Sequence, residues 1–387
     1  MEQRIYLDYA ATTPVAEPVL AAMLPFFSQI FGNSSSVHRF GQQAEAALEN
    51  ARETMAKGLN CQPQEIIFTS CGSESDNLAL RGAAFAARKE RSACHILISP
   101  VEHHAVSRTA QQLARQHGFE IEYLPVDEYG MVSAEEVAAR LRPETALVSV
   151  IYANNEIGSI NPIAEIGSVC RARGIPFHTD AVQAAGYLSV DVNDLQVDLL
   201  SLGAHKFYGP KGVGALYVRH GTPITPAQTG GGQESGLRAG THNIPYIAGM
   251  AEAFRLAGEQ RQLRVDHTLP LRDHLIGRIL EEIPNSRLTG HPTLRLPNHA
   301  SFAFENADGN ALLMLLDTAG FACSSGSACK TGNPEPSDVL TAMGLSDQWA
   351  LGSLRVTLGN ATTAEDIQAF LAALPGLVNQ VRQLEFH

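Results

Sequence analysis

The sequence predicts an α/β fold: a large domain on a mostly parallel sheet with helices on both faces, then a smaller α+β domain. Three observations predict it. Short β-rich runs alternate with helix-like segments up to residue 220, which is the pattern of βα units. Between Gly221 and Gly240 the alternation breaks into Pro, Gly, Thr and Gln. Charged helices follow, and then short strands mixed with helices.

Periodic apolar positions with abundant Ala, Glu and Arg mark helices over 41–58, 74–88, 106–116, 134–140 and 164–173. Strands are predicted over 65–69, 95–99, 120–124, 146–152, 175–179, 199–202 and 214–218, where Ile, Val, Leu and Phe cluster. In a parallel sheet, ligands sit at the carboxyl ends of the strands. Beyond residue 240, helices are predicted over 248–264, 269–283, 310–319 and 364–374, and strands over 300–304 and 353–358. The change of pattern puts a domain boundary near residue 260.

Of the 387 residues, 44% are apolar and 18% charged, enough for two or more domains with a sizeable core. Such a composition excludes a disordered chain. A net charge of −12 disfavours direct binding of nucleic acid. No apolar run is long enough to span a bilayer, so no membrane association is expected. The opening MEQRIYLDYAATTP lacks the basic and apolar regions of an export signal. Six cysteines, at 61, 71, 94, 170, 323 and 329, are too few and too scattered for a disulfide framework. The expectation is a cytoplasmic protein with free thiols.

Several strand-end segments carry candidate chemistry. In Ser201-Leu-Gly-Ala-His205-Lys206-Phe-Tyr-Gly-Pro-Lys-Gly212, a lysine follows a buried-type strand and precedes a Gly/Pro turn. It is either a solvated surface residue or a partly desolvated amine suited to Schiff-base chemistry. His178-Thr179-Asp180-Ala-Val-Gln183 ends another strand. His-x-Asp lacks a third ligand at local spacing, so no metal site is expected. Asp180 either caps the next helix or holds a proton on a pyridine nitrogen, as pyridoxal phosphate (PLP) requires of its partner.

Ser70-Cys-Gly72-Ser73-Glu-Ser-Asp-Asn77 joins a strand to a helix, and is either a plain N-cap or a phosphate site. His103, in Val101-Glu-His103-His104, is either structural or a ring that stacks on a flat cofactor and shuttles protons. Asn154-Asn155-Glu-Ile-Gly158 closes a further strand. Cys329, in the small and polar stretch Cys323-Ser-Ser-Gly-Ser-Ala-Cys329-Lys-Thr-Gly-Asn-Pro-Glu-Pro, is a candidate nucleophile. Arg355 sits in a strand pattern, where it pairs either with a substrate carboxylate or with an internal acid.

These motifs, in this order, resemble the NifS/IscS cysteine desulfurases, within class V of the fold-type I PLP enzymes. The resemblance runs from Tyr6-Leu-Asp-Tyr-Ala-Ala-Thr-Thr-Pro14 through Phe31-Gly-Asn-Ser34 to Leu358-Gly-Asn-Ala-Thr-Thr363. It implies a large PLP domain over 14–260 and a small domain made of 261–387 with 1–13. It implies that Lys206 carries PLP, Asp180 pairs with the ring nitrogen, Gln183 bonds the phenolic oxygen and His103 stacks on the ring. Gly72, Ser73, His205 and Thr241 of a neighbouring subunit would hold the phosphate, which makes the protein a homodimer. Asn155 and Arg355 would bind the carboxylate of L-cysteine.

Cys329 matches the family's nucleophile. The implied activity converts L-cysteine to L-alanine and leaves a persulfide on Cys329. That sulfur would pass to an acceptor such as an iron–sulfur scaffold or a tRNA-thiolation protein. Within the same fold, a class V aminotransferase, a selenocysteine lyase and a cystine C–S lyase are the enzymatic alternatives, and a sulfur carrier or scaffold without turnover is the non-enzymatic one. Two departures stand out: Gly203 replaces a serine that many relatives use on the phosphate, and Ser73 replaces a threonine. The chain also ends soon after its last helix, where some relatives carry a longer tail that docks a scaffold protein.

Overall fold

The computed structural model describes residues 4–326 and 335–384. In chain order the first part runs β1 (Ile5–Tyr6), α1 (Glu17–Met23), α2 (Pro25–Ser28), α3 (Arg39–Leu59), β2 (Ile66–Thr69) and α4 (Gly72–Arg91). Next come β3 (His95–Ile98), α5 (His104–His117), β4 (Glu120–Tyr123), α6 (Ala134–Arg140), β5 (Thr145–Ser149) and α7 (Ile163–Ala172). Then follow β6 (Phe177–Asp180), β7 (Leu199–Gly203), β8 (Gly214–Val218), α8 (Ile244–Glu259) and α9 (Arg261–Glu282). The rest is β9 (Ser286–Leu288), β10 (His299–Phe304), α10 (Gly309–Thr318), β11 (Phe321–Ala322), α11 (Asp338–Ala342), α12 (Asp347–Ala350), β12 (Ser353–Thr357) and α13 (Ala364–Leu384).

A seven-stranded sheet in the order β2-β8-β7-β6-β5-β3-β4 forms the frame. Only β8 runs antiparallel to its neighbours β2 and β7; the other pairings are parallel. Strands β2, β3, β5, β6, β7 and β8 are buried along their whole length, because helices cover both faces. On one face Leu48 and Met55 of α3 and Phe254 of α8 pack with Phe177 and Leu200. On the other, Leu78, Leu80 and Ala84 of α4 and Leu113 of α5 pack with Ile96 and Ile98.

A separate apolar cluster gathers Leu275, Ile279, Phe302, Phe304, Phe370 and Leu374 around the antiparallel sheet β12-β10-β9. Leu7 belongs to this cluster, and β1 pairs with β11, so the chain's beginning is stitched to its last third. The long α13 passes through Pro375 instead of stopping at residue 374. Its apolar stripe continues through Val378 and Val381, so packing outweighs the proline. The expected helix over 248–264 is two helices that meet at Gln260, whose φ of −101° and ψ of 8° end α8. The two-residue β1 and β11, the short β9, and α1, α2, α11 and α12 carry too little periodicity to be read from sequence.

Candidate active site

The strand ends and one helix start converge at a single edge of the sheet. β6 ends in Asp180, β7 ends in Gly203 with His205 and Lys206 in the turn beyond, and α4 begins at Gly72. Together with His103, Asn155, Gln183 and Arg355 they line a cavity of about 250 Å³. Ser73, Ala10, Ala11, Cys71 and Asp76 complete much of the wall. Each expected site residue lines this cavity except Thr241 and Cys329. Thr241 is on an exposed turn; Cys329 lies outside the described residues.

Lys206 is not a solvated surface lysine. Its Nζ donates to the carbonyls of Ala10 at 2.5 Å and Ala11 at 2.8 Å. Burial, reinforced by the nearby Arg355 charge, lowers its ammonium from 10.5 to about 8. Asp180 is 4% exposed, and its Oδ1 accepts from the Val182 N–H at 2.9 Å. Burial raises its carboxyl, and the charge of His103 opposes that rise. The helix-cap alternative therefore takes one oxygen of Asp180 and leaves the carboxyl facing the cavity.

His103 caps α5, with its Nδ1 accepting from the Ala105 N–H at 3.1 Å. That bond places the neutral ring's proton on Nε2, which is left free to donate. Desolvation holds the ring below its ordinary value. Gln183 donates to Ala10 O at 2.9 Å, and His205 Nδ1 lies 3.1 Å from Thr12 Oγ1. Burial lowers His205 to about 4, so it is neutral at physiological pH. Arg355 reaches Asp8 Oδ1 and the Asn155 carbonyl, both at 2.9 Å, through its two Nη atoms. Its Nε is buried and unpartnered. The internal ion pair considered for this arginine is thus present, and its partner is Asp8.

Glycine has a steric purpose at the helix start. A Cβ on Gly72 would lie 2.7 Å from Val182 Cγ2, so only glycine lets the backbone sit against the β6 turn. The first-turn N–H groups of this 20-residue helix have no intrahelical partner and face an anion readily. At Gly203 a Cβ would meet Val182 Cγ1 at 3.4 Å and the Gly72 nitrogen at 3.5 Å, ordinary contacts.

Sequence reading missed the floor and the depth of the site. The floor is the turn segment Asp8–Thr13, which also donates from Thr13 Oγ1 to His205 O. Its Tyr-Leu-Asp-Tyr-Ala-Ala motif was visible, yet carbonyl acceptors leave no trace in side-chain type. The depth is Asp76 and Glu102, with Asp76 Oδ1 and Glu102 Oε2 buried without a hydrogen bond and Asp76 Oδ1 lying 3.6 Å from His178 Nε2. Atoms of Asp76, His103 and Asp180 lie within 4.8 Å of one another. Burial drives both extra carboxyls strongly upward. At the cavity mouth burial pushes Glu156 up to about 7.

A buried carboxylate and a depressed lysine at adjacent strand ends, with a bare helix N-terminus beside them, define a fold-type I enzyme of the PLP-dependent class. The class-V aminotransferase family matches residues 5–370. "Cysteine desulfurase IscS" of Clostridium botulinum is 47% identical over 386 residues, covering 99% of this chain and 96% of the relative. A solved NifS-like protein superposes with a TM-score of 0.90 at 36% identity, over 98% of this chain and 100% of its own. A solved SspA in complex with cysteine gives 0.80 at 37% identity, over 93% and 100%. The chain belongs to the class-V aminotransferase family and, within it, to the NifS/IscS cysteine desulfurases.

Proposed function

We propose that this chain is a PLP-dependent cysteine desulfurase that takes sulfur from L-cysteine onto Cys329 and releases L-alanine. The observation that carries the reading is the Lys206–Asp180 pair in one cavity, the amine lowered to about 8 and the carboxylate buried beside it. The cavity fits the cofactor: the Gly72 backbone is bare where a phosphate would lie, and among the described residues no cation bonds the Asp180 carboxyl.

When bound, PLP supplies an electron sink that acidifies the substrate Cα and weakens its Cβ–S bond. Lys206 would hold the cofactor and then move the proton at Cα. Asp180 would keep a proton on the ring nitrogen, Gln183 would donate to the phenolic oxygen, and His103 would cover the ring face. Gly72, Ser73 and His205 would hold the phosphate. Arg355 and Asn155 would bind the substrate carboxylate, which takes the place of Asp8 on the guanidinium. The Cys329 thiolate would take the substrate sulfur, so that L-cysteine and one thiol become L-alanine and one persulfide. Mass spectrometry after addition of L-cysteine alone tests this: a persulfide on Cys329 and stoichiometric alanine are expected, and pyruvate or an unmodified thiol would contradict it.

The likeness to SspA, solved in complex with cysteine, supports that choice over cystine or selenocysteine. The stored sulfur would go to an iron–sulfur scaffold or a tRNA-thiolation protein. No described helix is long and apolar enough to cross a membrane, and the five described cysteines are free; both are compatible with a cytoplasmic enzyme. The separate apolar cluster that joins Leu7 to residues of the last third of the chain supports a division into 14–260 and 261–387 with 1–13.

Thr241 would complete the phosphate site of a partner subunit in a homodimer. Its loop is firmly built. Glu234 takes two bonds of 2.9 Å from Arg52 and one of 2.7 Å from His242, and Arg238 pairs with Glu74 at 2.8 Å. Sedimentation of the loaded enzyme should show a dimer, and a fully active monomer would sink this assignment.

Gly203→Ser is expected to fold normally and to lose PLP more slowly on dialysis. The extended backbone at Gly203, with φ of −137°, accepts a Cβ, and the new hydroxyl would lie near the Gly72 N–H. Slowing by about fivefold corresponds to one added hydrogen bond of ~1 kcal/mol. Faster loss would show that the hydroxyl crowds the phosphate.

A further inference from the structure

The geometry points to Glu156 as a positioning residue that ties down both stems of the Cys329 segment at the mouth of the active site. The inference rests on the desulfurase reading for what the segment delivers, though not for the contacts themselves.

Glu156 follows Asn155 in the turn after β5, and its own N–H donates to Asn154 Oδ1 at 2.8 Å, which fixes the turn. On the outgoing side, Ser324 exchanges two backbone bonds with Arg355, at 2.7 and 3.3 Å. Two residues later Gly326 lies so close to Glu156 that a Cβ would fall 2.5 Å from Oε2. On the returning side, Ser337 Oγ donates to that same Oε2 at 2.5 Å. Ser337 also caps α11, accepting from the Leu340 N–H at 3.3 Å. One carboxylate oxygen therefore meets the last described residue before the cysteine stretch and the helix cap just after it.

The placement has a chemical consequence. Glu156 and Asn155 line a mouth cavity of about 380 Å³ that also includes His103, Gly326 and Ser337. His103 and Asn155 line the inner cavity as well, so the two spaces share these residues as a wall. Both flanks of the cysteine stretch are thus placed by one residue fused to the substrate-binding turn, and holding the flanks there would raise the effective concentration of the thiol at the substrate sulfur. Glu156 touches neither reacting atom; it acts through Gly326 and Ser337.

The test uses the PLP-loaded enzyme with Glu156→Ala and, as the milder change that keeps an acceptor for Ser337, Glu156→Gln. Three quantities are read: the change in cofactor absorbance on adding L-cysteine, the single-turnover rate of persulfide formation, and the rate at which iodoacetamide alkylates Cys329 without substrate. Glu156→Ala should leave the absorbance change and its dependence on L-cysteine intact. It should slow persulfide formation by about a hundredfold, the scale of a misplaced reacting group, and change the alkylation rate severalfold. Glu156→Gln should fall between, and serves if Glu156→Ala does not fold. Wild-type alkylation and persulfide rates in both variants overturn the inference. So does an equal loss of the absorbance response, because Glu156 would then be shaping the inner pocket. If the parent enzyme itself forms no persulfide from L-cysteine, the desulfurase reading fails, while the alkylation comparison still reports on the stems.

Discussion

Cys329→Ala is expected to retain PLP, to show the parent's absorbance change with L-cysteine, and to form no persulfide. Alanine production should fall by roughly a thousandfold or more, the scale on which loss of a nucleophile is felt. The two halves of the reaction use different groups: Lys206 would move the proton at Cα while Asp180 keeps one on the ring nitrogen, whereas only a thiolate can accept the substrate's sulfur. Cys323 is the natural rival, six positions upstream. Its thiol is pushed up by burial beside Asp8, and it packs against the apolar cluster that holds Leu7 and Phe321. A desolvated thiol far from ionisation is a poor nucleophile. Cys323→Ala should therefore keep most of its turnover, with its loss expressed in stability. Mass spectrometry and an alanine assay on both variants decide the matter: an inactive Cys323→Ala beside an active Cys329→Ala would reassign the nucleophile.

Lys206→Ala should abolish turnover, again by roughly a thousandfold or more, while PLP still binds without a covalent bond. Asp180, the Gly72 backbone and His205 do not depend on the amine, so equilibrium dialysis should recover bound cofactor. The amine's environment sets a pH signature. Only the neutral amine can attack an aldehyde, and its fraction grows as pH rises through the folded-state value of about 8. The rate at which the cofactor-free parent takes up PLP covalently should climb through that value and level off above it. A lysine at its ordinary 10.5 would keep accelerating well past that point. A flat profile, or a Lys206→Ala variant as active as its parent, would mean that another amine carries the cofactor.

Mutation of the support around these groups has a different signature. Asp8→Asn removes the anion paired with Arg355 at 2.9 Å while preserving shape. It is expected to lower KM for L-cysteine if the substrate carboxylate replaces Asp8, because the competing internal partner is weakened. Steady-state kinetics on the loaded enzyme measure it, and a raised KM would show that Asp8 orients the arginine rather than competing for it.

The sequence by itself determined the alternation of β and α segments, the strand ends at Asp180 and Lys206, and the glycine at the start of α4. Those features are local: burial on both faces makes a strand read as a continuous apolar run, and a phosphate-type turn demands small residues at fixed offsets. Tertiary structure alone decided that Asp8–Thr13 passes beneath Lys206, since the bonds there go to backbone carbonyls, which every residue possesses. It also decided that Arg355 meets Asp8 across most of the chain's length, and that Asp76 and Glu102 are buried beside Asp180, Asp76 against His178 and Glu102 accepting from the Ile151 N–H. Glu156 is the plainest case. In the sequence it is one acid in a turn, and only the folded chain brings Gly326 and Ser337 together on one of its oxygens. Contacts between distant segments depend on how the sheet and its helices pack, and packing leaves no local pattern to read.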